Sequence, residues 1–375
     1  MKIAVLGAGN AGCFTALHYG FHTNQACEVE LIHDPSIPPE LVGQATFSDV
    51  PSILDYTGTG FNWYNNTVKA TIKTGILYEG WGKSKEPWFH PFKPSKVAMH
   101  FCPSLMQNFL LKTGQFKVTE SSIPDPDDVD ADYVFDCRGK PNDLSEYKRL
   151  KNPINACILG RPNWKSDQLL WSKHVATPNG WTFVIPTNAG SPSYHYSVGY
   201  LYNSTITTKE DAEKNFLEMF DVEIQKHLTF DNYVAKKPII NGRVFLNGNR
   251  LFFLEPMEST ALQTYIMTNR YIFDYLFLKT KTIKETTTRI HRYIEQIENF
   301  VLQHYHYGSN YDTPFWRYAN RLNFKDEELE LELKRIKMGA PSVRDGTPEN
   351  YTTKQYGMWS VESIHNWENG MSRCA

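Results

Sequence analysis

The stretch Glu255-Pro256-Met257-Glu258-Ser259-Thr260-Ala261 gathers residue types that chemistry uses. Two carboxylates, Glu255 and Glu258, can take a proton or steady a cation. Ser259 and Thr260 are good N-cap types, so a helix should start about here. The first N–H groups of a helix lack partners within it and carry partial positive charge. An anion or an electron-rich ring could rest on them. Leu251 to Leu254, ahead of the stretch, reads as a strand; Leu262 to Leu278, behind it, reads as a helix. Taken alone, the segment is a charged strand-to-helix turn with an N-cap.

A second chemical signal lies at the start of the chain. Lys2 to Leu6 is a buried-strand pattern, and Gly7-Ala8-Gly9-Asn10-Ala11-Gly12 follows it with glycines at GxGxxG spacing. A helical stretch from Ala11 to Tyr19 and a second strand from Glu28 to His33 complete a βαβ dinucleotide fingerprint. Gly7 allows the tight turn, Gly9 admits a pyrophosphate close to the backbone, and Gly12 lets helix and strand pack closely. The second strand should end on an acidic residue for a ribose hydroxyl. It reads His33-Asp34, and Asp34 serves if the register shifts by one; His33 is the less usual choice. Tyr133 to Asp136, followed by Cys137-Arg138-Gly139, fits the last strand of such a sheet. The chain has one GxGxxG in this context, so a second, nicotinamide-binding domain is not expected.

Composition narrows the partners. The 375 residues suffice for one large or two ordinary domains. Charged residues make up 21% with a formal net charge of -2, a balance that argues against nucleic acid or a membrane surface. Aromatics at 14% suit a protein that holds flat ligands. Cys13, Cys27, Cys102, Cys137, Cys157 and Cys374 form no CxxC pair and no zinc-spaced cluster with histidine. They read as reduced, mostly buried residues of a cytoplasmic protein. Neither a signal peptide nor a membrane-spanning run is visible, so the sequon at Asn65 carries no meaning.

Later segments read as follows. Residues 123–132 are acidic and proline-bearing, hence a surface loop. From about Cys157 the pattern shifts to strands at Trp181 to Ile185, Tyr194 to Tyr202 and Val244 to Leu246, with helical periodicity between Lys209 and Lys226. After Thr280 the chain is mainly helical, and Lys325 to Lys337 reads as a solvated helix face. The expected fold class is α/β. A doubly wound, Rossmann-like module uses residues 1–160 plus 245–280. A sheet-based region, 161–244, is inserted into it, and a mostly helical cap occupies 281–375.

Eight motifs in order carry a resemblance. They are GAGNAG, VGQAT at 42–46, ATIKTGILYEGW around Lys73, MHFCPSLMQNFL, FDCRG, GWTFVIP at 180–186, LEPMESTAL, and HYHYGSNYDTPFW at 304–316. Over roughly residues 1–320 the chain resembles the flavin-dependent halogenases of the tryptophan halogenase type. Four positions depart from that pattern: Phe183 for tryptophan, Gln44 for glutamate, Ala261 for glycine and His33 for glutamate. The chain is also shorter in the capping region.

The resemblance implies FAD as cofactor. Gly7, Gly9, Asn10, Ala11, Gly12, Asp34, Gln44, Ala45, Thr46, Trp181, Ile185 and Pro186 would hold it, with Trp181 and Phe183 as a screen beside the flavin. It implies a halide held by backbone N–H groups of Thr260 and Ala261, and hypohalous acid formed there and conducted to Lys73. Lys73 would polarise the oxygen–halogen bond or become a haloamine, Ser259 would orient its amine, and Glu258 would steady the cationic ring and take the displaced proton. The substrate class is an electron-rich arene, an indole or a phenol. A separate flavin reductase would deliver reduced FAD; a homo-oligomer is left open. An FAD-dependent hydroxylase and a degenerate flavin-binding scaffold are the alternatives, and neither needs the Lys73 and Glu258 pairing.

Overall fold

The structure is a computed structural model and describes all residues except 25, 40–41, 48–49, 59–67, 85, 93–97, 165–167, 187–195, 324–325, 338–355 and 373–375. The sequon at Asn65 and the cysteine at 374 therefore lie outside the described residues; the other five cysteines carry free thiols. No helix among the described residues is long and apolar enough to cross a membrane.

The nucleotide fingerprint folds as its spacing requires. Lys2–Leu6 pairs in parallel with Glu28–His33 on one side and with Tyr133–Asp136 on the other. Both faces of this sheet are covered, which is why Ile3, Ala4, Val5 and Leu6 are all fully buried. Lys117–Glu120 extends the sheet beyond Glu28–His33. Tyr133–Asp136 is not the last strand. Val244–Leu246 pairs in parallel on its far side, and Ile239–Ile240 closes that edge antiparallel. A three-residue apolar run carries no mark of which sheet it will join; here Val244 and Leu246 are buried against Val134 and Asp136 of the same sheet.

A seven-stranded sheet forms the second layer. In spatial order it contains Val222–Thr229, Ala156–Pro162, Tyr196–Tyr202, Gly180–Pro186, Trp171–Thr177, Gly75–Glu79 and Trp88–Pro91. All neighbours are antiparallel except Trp171–Thr177 with Gly75–Glu79. Helix Lys209–Phe220 stops short of Lys226, because Asp221 turns left-handed at φ 44° and Val222–Thr229 pairs with Ala156–Pro162. Cross-strand pairing outweighs helical periodicity there.

Two further pieces position the site. A small sheet joins Gln44–Ala45, Ala98–Phe101 and Thr71–Lys73, which brings the Gln44-Ala45-Thr46 segment beside Lys73. Leu251 to Leu254 supplies the short strand Phe252–Phe253, paired with Tyr233–Ala235. Helix Ala261–Leu276 packs on helix Asn10–His22, and helix Ile283–Tyr307 packs on Ala261–Leu276. Pro314–Asn320, Glu327–Lys337 and Val361–Ser372 follow as helices.

Candidate active site

Lys73 ends a strand, yet it is not on the surface: it is 1% exposed. Its ammonium lies 3.1 Å from the Ser259 hydroxyl, 3.4 Å from the Thr46 carbonyl and 5.1 Å above the Phe92 ring. Burial disfavours the charged form and brings its pKa down to about 7; the negative charge of Glu258 only partly offsets this. The amine is therefore part neutral at neutral pH, which a nucleophile or proton relay requires.

Glu258 reaches the same place from the other end of the chain. Its backbone has φ 62° and ψ 5°, and Ser259 follows at φ 58°. Two successive left-handed residues that are not glycine cost on the order of 1–3 kcal/mol each and persist only where surroundings hold them. This kink turns the Glu258 side chain inward, where it is 1% exposed. Tyr78 donates its hydroxyl to Oε1, and Trp359 donates its indole N–H to Oε2 at 3.2 Å. His90 stands 3.9 Å away with Nδ1 otherwise unpartnered. Burial alone would raise the Glu258 pKa. Hydrogen bonding from His304, the charges of His90 and His304, and the Tyr78 hydroxyl outweigh it and hold the carboxyl below its ordinary range. Burial, with Glu258 adding to it, pushes the Tyr78 phenol well up, so Tyr78 keeps its proton and stays a donor.

His304 has one nitrogen committed and one contested. Nδ1 faces the Phe300 carbonyl at 2.8 Å and so carries a proton. Nε2 lies 2.7 Å from the Trp367 indole N–H and 3.2 Å from Glu258 Oε1. The neutral ring accepts from Trp367; only the protonated ring donates to Glu258. His174, buried beside Tyr78 and Trp181, has its pKa lowered to about 3 by burial and remains neutral.

Glu255 belongs to a separate network. It is fully buried and accepts from the Tyr305 hydroxyl at 2.7 Å, the Trp181 indole at 2.8 Å and Asn152 at 2.7 Å. It thereby anchors Trp181, whose ring meets Phe183 edge-on at 6.3 Å within strand Gly180–Pro186. Ile185 and Pro186 are buried in that strand.

The glycine loop fits a dinucleotide. A Cβ on Gly12 would stand 1.8 Å from the Gly7 carbonyl, so that glycine serves packing. One on Gly9 would meet nothing within 4 Å: open space lies over the residue that starts the helix. Gly9 makes no side-chain cap, so the N–H groups of Asn10, Ala11 and Gly12 present a positive end to that space. Asn10 donates to Gln44 at 2.7 Å and ties the loop to the Lys73 sheet. The ribose position is less direct. Asp34 uses Oδ1 to accept from Ser36, whereas the buried His33 leaves Nε2 unpartnered.

Thr260 heads helix Ala261–Leu276 without capping it through its side chain, and Ala261 is exposed, so the first-turn N–H groups remain available to an anion. Of the sequence-derived set, Lys73, Ser259 and Glu258 come together, Thr260 and Ala261 adjoin them in the chain, the glycine loop is linked to Lys73 through Gln44 and Thr46, Trp181, Ile185 and Pro186 lie in strand Gly180–Pro186 with Trp181 tied to Glu255, and Asp34 follows strand Glu28–His33. Sequence reasoning did not single out Tyr78, His90, His304, Trp359 or Trp367. Tyr78 and His304 sit inside motifs quoted for the resemblance, whereas Trp359 and Trp367 fall in a tail that carries none.

Comparison with known proteins bears on the family and the fold. The tryptophan halogenase family model matches residues 2–124 and 116–367. Tryptophan 7-halogenase RebH of Lentzea aerocolonigenes is 20% identical, the match covering 100% of this chain and 88% of that protein. Among solved structures, the tryptophan halogenase of Shewanella frigidimarina superposes with a TM-score of 0.81 at 18% identity, covering 100% of this chain and 89% of the other. A flavin-dependent halogenase from Xanthomonas campestris gives 0.79 at 17% identity, covering 100% and 90%. With the model matched along nearly its whole length, the chain belongs to the tryptophan halogenase family.

Proposed function

We propose that this chain is a flavin-dependent halogenase that delivers hypohalous acid through Lys73 to an electron-rich arene of the indole or phenol type. The observation that carries this reading is the meeting of Lys73 and Glu258-Ser259, 186 residues apart at the Lys73–Ser259 contact, in a water-excluded place. FAD, when bound and reduced by a separate reductase, would supply with oxygen the oxidising equivalents that convert halide to hypohalous acid. Gly9, Asn10, Ala11 and Gly12 would hold its pyrophosphate, and Trp181, fixed by Glu255, would screen the ring.

The N–H groups of Thr260 and Ala261 hold the halide. Lys73 receives the acid. As ammonium it hydrogen-bonds the oxygen and polarises the oxygen–halogen bond; as free amine it attacks the halogen, the oxygen–halogen bond breaks, and the departing oxygen takes a proton from the nitrogen and leaves as water. Ser259 keeps the nitrogen directed, and the Thr46 carbonyl limits its swing. Glu258 stabilises positive charge on the ring and accepts the proton that the halogen replaces.

The test supplies FAD, a reductase, and chloride, bromide or iodide in turn, with a panel of indoles and phenols, and weighs the products by mass spectrometry. A halogenated product is expected. Lys73→Ala abolishes it while FAD binding survives, and Glu258→Gln slows it by about a hundredfold or more, the usual worth of a positioned acid–base group. Oxygenated product without halogen would favour a hydroxylase instead, and near-parental turnover in either variant would remove that residue from the mechanism.

A further inference from the structure

His33 is a buried imidazole with a nitrogen left over. It ends strand Glu28–His33, one residue past Ile32, whose carbonyl accepts the Gly7 amide at 2.8 Å. The strand end and the glycine turn therefore share one end of the parallel sheet. The His33 carbonyl accepts the Ser121 amide at 2.9 Å, and its backbone pairs with Glu120 of strand Lys117–Glu120. The residue is 7% exposed; Val29 and Leu31, on the same face of the pleated strand, are buried with it. Its Nε2 has no hydrogen-bond partner. A buried polar atom left in that state costs free energy, and a ligand that supplies the partner relieves it.

The acidic neighbour is already engaged. Asp34 Oδ1 accepts from the Ser36 amide at 2.8 Å and from the Ser36 hydroxyl at 2.6 Å, and the Asp34 carbonyl accepts the Ile37 amide at 3.1 Å. These bonds account for Asp34 as the opening residue of a turn. A carboxylate at the end of the second strand of a dinucleotide fold takes ribose, and its two oxygens are enough for both hydroxyls. One imidazole nitrogen meets only one. We propose that His33, rather than Asp34, contacts the adenosine ribose of the bound dinucleotide through Nε2, and that it reads a single hydroxyl where an acid would read two. The ligand class is an adenine ribonucleoside 5′-diphosphate, the half of FAD that the glycine loop cradles. The proposal rests on the flavin part of the halogenase reading and is independent of halide, arene and Lys73.

Oxidised FAD is bound to the full chain, and ADP, 2′-deoxy-ADP and 3′-deoxy-ADP compete for its place, followed by flavin fluorescence with no turnover involved. In the parent, one deoxy analogue should compete about three- to tenfold more weakly than ADP, the worth of one neutral hydrogen bond, and the other should match ADP. His33→Ala should bring all three nucleotides to the same affinity. His33→Glu restores two acceptor oxygens, so both deoxy analogues should then fall behind ADP. Should His33→Ala fail to fold, the parent and His33→Glu decide the matter between them. A purely structural His33 would weaken all three nucleotides together and keep the parent's difference between them, which overturns the proposal. So does a parent that treats both analogues like ADP or penalises both, a difference erased by Asp34→Asn instead, or bound FAD that ADP cannot displace. A parent that binds no FAD removes the flavin reading and this contact with it. One that passes these tests yet halogenates nothing keeps the ribose contact and loses only the reaction.

Discussion

Lys73 shows how burial alone sets up chemistry. The unfolded chain keeps this lysine charged up to about 10.5, whereas the folded pKa is about 7. Between these values the unfolded state binds more protons, so stability rises with pH across that window; below about 7 the full cost of burying the charge is present. Lys73→Met should therefore stabilise the fold by a few kcal/mol at pH 6, and the gain should shrink towards pH 10. Thermal unfolding at both values checks this, and an equal gain at both would place Lys73 outside its dry setting. At this scale the sequence was only partly legible. Lys73 before a strand looks like any surface lysine, and its motif, not its type, marked it. Glu258 stood out by its neighbours Ser259 and Thr260, but nothing local revealed that Glu255 three residues earlier would serve Trp181 and Tyr305 instead.

Among elements, the strand–loop–helix at the start of the chain was the most readable, because its glycines act on local geometry. Gly9 and Gly12 separate two roles that one motif combines. Gly9 has φ -62° and open space where a Cβ would stand, so Gly9→Ala should leave the unfolding midpoint within about 2 °C while weakening FAD binding about tenfold or more. Gly12→Ala would press against the Gly7 carbonyl and should lose both stability and FAD affinity. Fluorescence titration with FAD and thermal melts distinguish them; full FAD affinity in Gly9→Ala would mean that the loop is only a turn. Short strands were less readable. Val244–Leu246 joined the nucleotide sheet and Val222–Thr229 replaced the end of a helix, since three to eight residues commit to a sheet through partners far along the chain.

For the whole molecule, connection matters more than order. The paired strands Gly75–Glu79 and Trp88–Pro91 leave the nucleotide-binding half to join the seven-stranded sheet through Trp171–Thr177, and Val244–Leu246 returns to the parallel sheet. A fragment of residues 1–160 would lack both partners. It should aggregate or fail to bind FAD, as size-exclusion chromatography and circular dichroism would report; a monomeric, FAD-binding fragment would contradict this. The same connectivity explains why the tail was illegible. Trp359 meets Glu258 from 101 residues away, and no periodicity encodes such a meeting.

Order of synthesis adds a final consequence. Chains fold from the N-terminus as they emerge from the ribosome. The cradle for the nucleotide, the amine and the carboxylate all precede residue 260, while the two tryptophans that close around the carboxylate and its histidine follow residue 355. From the addition of Glu258 until Trp359 follows, 101 residues later, the carboxylate thus stands without its indole neighbour. A copy halted by an early stop codon would carry the recognisable signatures of an oxidising enzyme and lack the wall that finishes its reaction vessel.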